Sequence, residues 1–135
     1  MNEGIFEHPN ETLVRNLFEA FRRGDAAKVY AAIAEDAVWH FPGRNNQLAG
    51  AHHGREAIFA FLTKIPALSD GNFRVELTDV LANDENAVAL FNGIGERNGV
   101  ELNNPTCLRM RIEEGKVVEF REFVWDLYQV EEFWA

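Results

Sequence analysis

Phe73-Arg-Val-Glu-Leu-Thr78 alternates apolar and polar residues, and this period of two predicts a β-strand with one buried face. Asn83-Asp-Glu-Asn86 provides a turn into a second apolar run, Ala87-Val-Ala-Leu-Phe91. Two more strands are predicted, one after the turn at Asn98-Gly99 and one from Lys116 to Trp125. Four consecutive strands joined by short turns indicate an antiparallel meander.

Three helices are predicted before the meander. The first has apolar residues at helical spacing from Leu13 to Phe21 and stops at Gly24, with Asn10 and Thr12 as candidate caps. The second is capped by Asp25. In the third, apolar residues recur at positions 58, 61, 62 and 65, and Pro66 is expected to end the helix.

A short β-branched and aromatic run, Ala37-Val-Trp-His-Phe-Pro42, predicts a strand that enters a polar loop from Gly43 to Gly54. Helices early in the chain and an antiparallel sheet late in it predict an α+β domain, with three helices packed on one face of a curved sheet. Such a sheet encloses a hollow suited to small apolar ligands. We predict a single domain over residues 1–135.

The charge balance narrows the classes of partner. The chain has 13 Lys and Arg against 22 Asp and Glu, a formal net charge of -9, which argues against nucleic acids and anionic membranes as partners. Acidic residues near the N-terminus do not fit a signal peptide, and no apolar run approaches a membrane span. The single Cys107 forms no internal disulfide, so we expect a cytoplasmic protein.

Five short segments together resemble the nuclear-transport-factor-two-like superfamily, in its SnoaL-like and ketosteroid-isomerase-like branch. They are Trp39-His-Phe-Pro-Gly43, Leu48-Ala-Gly50, Gly54-Arg-Glu-Ala-Ile58, Asp79-Val-Leu-Ala82 and Asp126-Leu-Tyr128. The resemblance implies a cystatin-like cone of curved sheet and helices over nearly the whole chain. The superfamily contains isomerases, polyketide cyclases, epoxide hydrolases, dehydratases and binding modules, so the residues must decide the activity.

Two catalytic constellations of this superfamily are not matched. Its steroid isomerases use a shuttle carboxylate, a tyrosine and a protonated aspartic acid. The position of the tyrosine falls near Leu17, that of the shuttle carboxylate at His40 or Phe41, and that of the aspartic acid near Thr106 or Cys107. None carries the phenol or carboxyl group. The epoxide hydrolases need two carboxylates and an arginine. Their Arg-x-Asp motif is absent from the strand Ala87 to Arg97, and only the carboxylate on the last strand has a plausible match, Asp126.

The resemblance to SnoaL-type cyclases implies an aspartate on the last strand and a nearby histidine as acid and base, without metal or cofactor. Asp126 and His40 fill these roles if both point into the cone. Alternatively, His40 is a histidine at the core edge that bonds a backbone carbonyl, and Asp126 caps the tail or pairs with an arginine. We hypothesise a small hydrophobic substrate that is isomerised, cyclised or hydrated; the alternative is a non-catalytic ligand-binding or protein-interaction module.

Further side chains are candidates for ligand binding: Trp39, Phe41, His52, Phe59, Asn92 and Trp125. The aromatic ones are equally expected as core. His52 and His53 are too few donors for a zinc site, so we expect no metal, and His52 either lies at the cavity mouth or fixes its loop. Asn92 marks a ligand hydrogen bond or a bulge.

Arg109, Arg111, Arg121 and Glu122 lie on neighbouring strands, where cross-strand ion pairs are the ordinary explanation for alternating charges. Aromatic residues on both faces of the sheet require cover on the face away from the helices. The resemblance implies pairing through that face, so we predict a homodimer.

Overall fold

The computed structural model describes residues 7–135. Residues 1–6 lie outside this range. The start of the predicted domain and part of the N-terminal segment discussed above therefore lie outside the described residues. Four helices and six strands are present in the order α1 (Pro9–Arg23), α2 (Ala26–Ala32), β1 (Ile33–Phe41), β2 (Gly50–His53), α3 (Arg55–Ser69), β3 (Arg74–Ala82), β4 (Asn86–Arg97), β5 (Val100–Glu113), β6 (Lys116–Val124) and α4 (Leu127–Phe133). Within the described range, no helix is long and apolar enough to cross a membrane.

The six strands form one curved, open sheet in the order β2-β1-β6-β5-β4-β3. The predicted meander of β3 to β6 is confirmed, and so is the α+β class. Strand β1 extends this sheet by pairing with β6 in parallel, and β2 pairs antiparallel with β1 at the edge. The polar loop predicted from Gly43 to Gly54 therefore contains a short strand.

The first two helices begin and end through local hydrogen bonds. Gly24 adopts a left-handed conformation, and its N–H bonds the carbonyls of the last turn of α1, as the predicted stop requires. Asp25 accepts a hydrogen bond from the backbone N–H of Lys28 and caps α2, as predicted. His8, rather than Asn10 or Thr12, caps the start of α1.

The prediction that Pro66 ends the third helix is wrong. Helix α3 continues to Ser69 and ends at Asp70, which is left-handed. A proline in this position removes one hydrogen bond of the last turns, and the buried apolar face of α3 compensates for that loss. The structure also adds a fourth helix, α4, in the tail that the sequence left unassigned.

A bulge in β6 decides which side chains face the helices. Ile112 of β5 pairs with Val117, but the preceding Arg111 pairs with Glu119, so one residue of β6 is left over. Beyond the bulge, Phe120 is buried on the inner face. Every second residue from Phe120 shares that face, which therefore carries Glu122 and Val124, while Arg121 and Phe123 lie on the outer face.

Candidate active-site cavity

A cavity of about 90 Å³ lies between the helices and the inner face of the sheet. Its lining is dominated by nine aromatic rings: Phe18, Phe21, Trp39, Phe41, Phe61, Phe73, Phe91, Phe120 and Trp134. Three polar side chains interrupt this lining: Asn104, Thr106 and Glu122. Glu122 is the one ionisable side chain among the described residues that line the cavity. A concave apolar space with few polar groups is typical of a small-molecule site.

The Glu122 carboxyl group is held at one oxygen by an indole. Trp39 Nε1 donates a hydrogen bond to Glu122 Oε1 across a distance of 3.2 Å. Among residues 7–135, no protein donor bonds Glu122 Oε2. That oxygen is therefore the one available to a bound molecule, and it carries the proton when the group is a neutral acid.

Burial raises the pKa of Glu122 from its ordinary value of 4.5 to about 7, against the opposing effect of the Trp39 hydrogen bond. The cause is desolvation, because the apolar lining disfavours the charged carboxylate. The side chain retains partial exposure because it faces the cavity. A carboxyl group with this pKa exists in both forms near neutral pH, so it accepts or donates a proton there.

The Trp39 ring is fixed by its neighbours. It stacks on Phe120 with the ring centroids 4.2 Å apart and an interplanar angle of 16°, and it packs against Phe61 at 5.1 Å. Phe61 and Phe120 are buried. Aromatic pairs of this kind restrict the ring to one orientation, which directs the indole N–H at Glu122.

The other two polar groups of the lining are occupied by the protein itself. The Asn104 amide donates to the carbonyl of Asp126 at 2.7 Å and accepts from the N–H of Asp126 at 3.1 Å. Thr106 donates to the carbonyl of Asn104 at 3.1 Å. Asn104 therefore attaches the start of α4 to β5, and Glu122 provides the free donor or acceptor of the site.

His40 does not line the cavity, so the expectation that it points into the hollow is wrong. It alternates with Trp39 and Phe41, which do line it, and so lies on the outer face of the sheet. His40 Nε2 lies 3.4 Å from Glu119 Oε2, and Arg109 donates to the other oxygen of Glu119 at 2.8 Å. Burial alone would raise the pKa of Glu119, but Arg109 and His40 together lower it.

Asp126 also lies outside the cavity lining, so its expected position beside His40 in the hollow is wrong. Its carboxylate accepts a hydrogen bond from the N–H of Gln129 at 3.1 Å and caps α4. This is the capping alternative considered for the residue. The structure therefore does not bring the predicted acid–base pair together in the cavity.

The predicted ligand-binding residues divide among three places. Trp39 and Phe41 line the cavity. His52 lies behind it, stacked on Phe61 at 4.4 Å, with Nε2 2.8 Å from the carbonyl of Leu48, which is the loop-fixing role. Phe59 packs on Tyr30 at 5.2 Å, away from the cavity. The ligand-binding role of these residues stays a prediction.

Asn92 and Trp125, the remaining two, lie on the outer face and line a shallow groove there. The groove also includes Cys107 and Phe123. Asn92 faces away from the cavity. The ring of Phe73 packs against the neighbouring Gly93, and a Cβ atom at this glycine would lie 3.2 Å from the ring. Cys107 is half-buried.

No group of three histidine, cysteine or acidic side chains within residues 7–135 is arranged to hold a metal ion. His52 and His53 lie in the edge strand β2, where successive side chains point to opposite faces. Their donors therefore do not converge on one point.

Glu122 is the functional candidate that the sequence interpretation missed. It was expected in a cross-strand ion pair with the arginines of the sheet. Counting by two from Phe120, a large apolar residue expected in the core, places Glu122 on the inner face. That count was obscured because Phe123 and Trp125 give the opposite face of β6 an equally apolar pattern.

Comparison with protein families matches residues 14–120 to the model of the SnoaL-like domain. The chain belongs to the SnoaL-like domain family. The predicted membership of this branch is therefore confirmed, and the matched range of this SnoaL-like domain includes Trp39, the apolar face of α3 and most of the sheet.

The relatives of this SnoaL-like domain align with it along nearly their whole length. An uncharacterized protein of Mycobacterium tuberculosis (strain ATCC 25618 / H37Rv) is 34% identical over 124 residues, covering 91% of this chain and 94% of that protein. The structure of Bal32a from a soil-derived mobile gene cassette is 35% identical with a TM-score of 0.90, covering 94% of this chain and 97% of the other. A protein of unknown function with a cystatin-like fold from Xanthomonas campestris is 31% identical with a TM-score of 0.86, covering 92% and 96%.

Proposed function

We propose that this SnoaL-like domain binds a small apolar molecule in the inner cavity and transfers a proton to or from it through Glu122. The observation that carries the proposal is a carboxyl group inside an apolar cavity, held by Trp39 and with a pKa of about 7. Trp39 bonds Oε1, so Oε2 faces the bound molecule. The carboxylate removes a proton from carbon next to a carbonyl, and the neutral acid returns one, which is the chemistry of a cofactor-free isomerase, cyclase or hydratase.

The proton transfer is tested with cyclohexanone in deuterium oxide, by following exchange of the hydrogens next to the carbonyl with NMR. We expect the protein-catalysed rate to rise with pH through about 7, the pKa of Glu122, and then to level off, because the carboxylate is the active form. Glu122→Gln should lower the rate by about 100-fold or more.

Matched variants separate Glu122 from the other acid–base candidates. Glu119→Gln changes a carboxylate of the same strand on the outer face and should leave the exchange rate unchanged. His40→Ala and Asp126→Asn should do the same, because neither residue lines the cavity. An equal rate in wild type and Glu122→Gln contradicts the proposal, and a large loss in His40→Ala restores the histidine as a candidate base.

We also propose that a second copy of this chain covers the outer face of the sheet. Phe123 is 53% exposed and Trp125 is 84% exposed, and both border the outer groove. Arg109 and Arg121 lie beside this apolar area and share one carboxylate, Glu119. Glu119 neutralises part of the charge of these arginines, so the exposed aromatic rings are the feature of this face that requires cover.

Light scattering during size-exclusion chromatography tests the pairing. We expect a dimer at about 10 µM, and we expect Trp125→Glu to shift it to a monomer, because a charge in the apolar centre of an interface is strongly unfavourable. Tyr128→Glu is the matched control, because Tyr128 is 90% exposed and does not line the groove. A monomeric wild type contradicts the proposal.

A further inference from the structure

The cavity also constrains what kind of molecule it accepts, and this constraint rests on the proposed function. Its volume is about 90 Å³. An apolar cavity of about 150 Å³ admits benzene, so the smaller space found here takes at most about one ring and not a fused ring system. Phe61 and Phe120, which line it, are fully buried, so the part of the wall that they form does not move without repacking the core.

The charge of the lining excludes acidic molecules. Among the described residues that line the cavity there is no lysine, arginine or histidine, and Glu122 is the ionisable group. A carboxylate or phosphate entering this space would lose its hydration without gaining a cationic partner. Once Glu122 is ionised, the two negative charges would also repel each other.

The polar groups of the lining limit the ligand to one main anchoring point. The Asn104 amide is engaged by the backbone of Asp126, and the Thr106 hydroxyl donates to a carbonyl of the same strand. Glu122 Oε2 remains. A ligand with several hydroxyl groups would therefore bury polar atoms without partners, which is costly in an apolar site.

We infer that the ligand of this cavity is an uncharged molecule of about one ring with a single hydrogen-bonding group that meets Glu122. This class excludes carboxylates, phosphate esters and carriers that bear phosphates, and it excludes fused polycyclic molecules.

Three matched probes test this class: benzyl alcohol, benzoate and naphthalen-2-ylmethanol. Binding is followed by NMR at the indole N–H of Trp39, which lies in the cavity. At about pH 8, benzyl alcohol should bind, benzoate should bind at least about 30-fold more weakly, and the naphthyl alcohol at least about tenfold more weakly. In Glu122→Gln, benzoate should still bind more weakly than benzyl alcohol, because the lining still lacks a cation.

The outcomes distinguish this inference from the proposed function. Binding of benzoate or the naphthyl alcohol as tightly as benzyl alcohol overturns the ligand class, and so does the absence of benzyl alcohol binding up to its solubility. The exchange of cyclohexanone hydrogens is a separate measurement. If that exchange depends on Glu122, the proposed proton transfer stands even when the ligand class is overturned. Selective binding of benzyl alcohol combined with exchange that is independent of Glu122 leaves the ligand class intact and refutes the proton transfer.

Discussion

Glu122→Gln should be more stable than the wild type by about 2 to 3 kcal/mol at pH 8 and equally stable near pH 4.5. In the unfolded chain the carboxyl group titrates near 4.5, whereas in the folded protein its pKa is about 7. Between these values the folded state holds the proton more firmly than the unfolded state. The wild-type free energy of unfolding therefore falls as pH rises through this window and levels off above it.

Glutamine reproduces the neutral acid at all pH values. Its amide oxygen still accepts the hydrogen bond of Trp39, and its size matches that of glutamate. The variant should therefore lack the part of the pH dependence that Glu122 causes. The measurement is a series of urea unfolding curves from about pH 4.5 to pH 8, analysed as the difference between wild type and variant.

Glu119→Gln is the control for this series. Glu119 lies on the same strand but its pKa is lowered, although burial alone would raise it, because Arg109 and His40 favour the carboxylate. The stability that Glu119 contributes is therefore lost below its unfolded pKa and not between pH 4.5 and 8. A wild-type curve that stays parallel to Glu122→Gln across this window would mean that the Glu122 carboxylate is well solvated.

Phe61→Ala should lower the free energy of unfolding by about 3 to 5 kcal/mol. Phe61 is 2% exposed, and its ring contacts Trp39, Phe41 and His52. Removing the ring costs the transfer free energy of its carbon atoms and leaves a void beside the cavity. Urea unfolding at constant pH measures the loss, and Phe61→Leu should show a smaller one.

The same substitution should also enlarge the site. With the Phe61 ring removed, naphthalen-2-ylmethanol should bind the variant more tightly than the wild type. Phe59→Ala is the matched control, because Phe59 lies on the same helix but packs on Tyr30 and not on the cavity. It should cost less than about 2 kcal/mol and leave the ligand preference unchanged. Equal losses in the two alanine variants would contradict the central position of Phe61.

The meander and the cavity walls were predictable because they follow from local periodicity. Alternation in β3 and apolar runs in β4 fix the strands, and the spacing of Trp39 and Phe41 puts both on one face of β1. These patterns need no knowledge of distant residues. The sequence therefore predicts the class of the fold and an apolar interior.

The candidate acid–base group, Glu122, was not predictable by the same route. Because β6 contains a bulge and carries apolar residues on both faces, its pattern does not show which face Glu122 occupies. His40 and Asp126 were favoured instead because histidine and aspartate are common acid–base residues. The helix α4 was missed because seven residues give a weak pattern, and its stability comes from distant contacts. Asn104 bonds its first turn, and Arg97 bonds the carbonyls of Phe133 and Ala135 at its end.

The parallel pairing of β1 with β6 places the indole and the carboxyl group of the site on strands far apart in the chain, since Trp39 and Glu122 are 83 residues apart. During synthesis, β1 and β2 leave the ribosome long before β6 does. Until then the edge of β1 that pairs with β6 has no partner strand, and a sheet of two strands is marginal in water. The hydrogen bond between Trp39 and Glu122 therefore forms only after β6 has been translated, and the buried carboxyl group acquires its surroundings only when β6 joins the sheet.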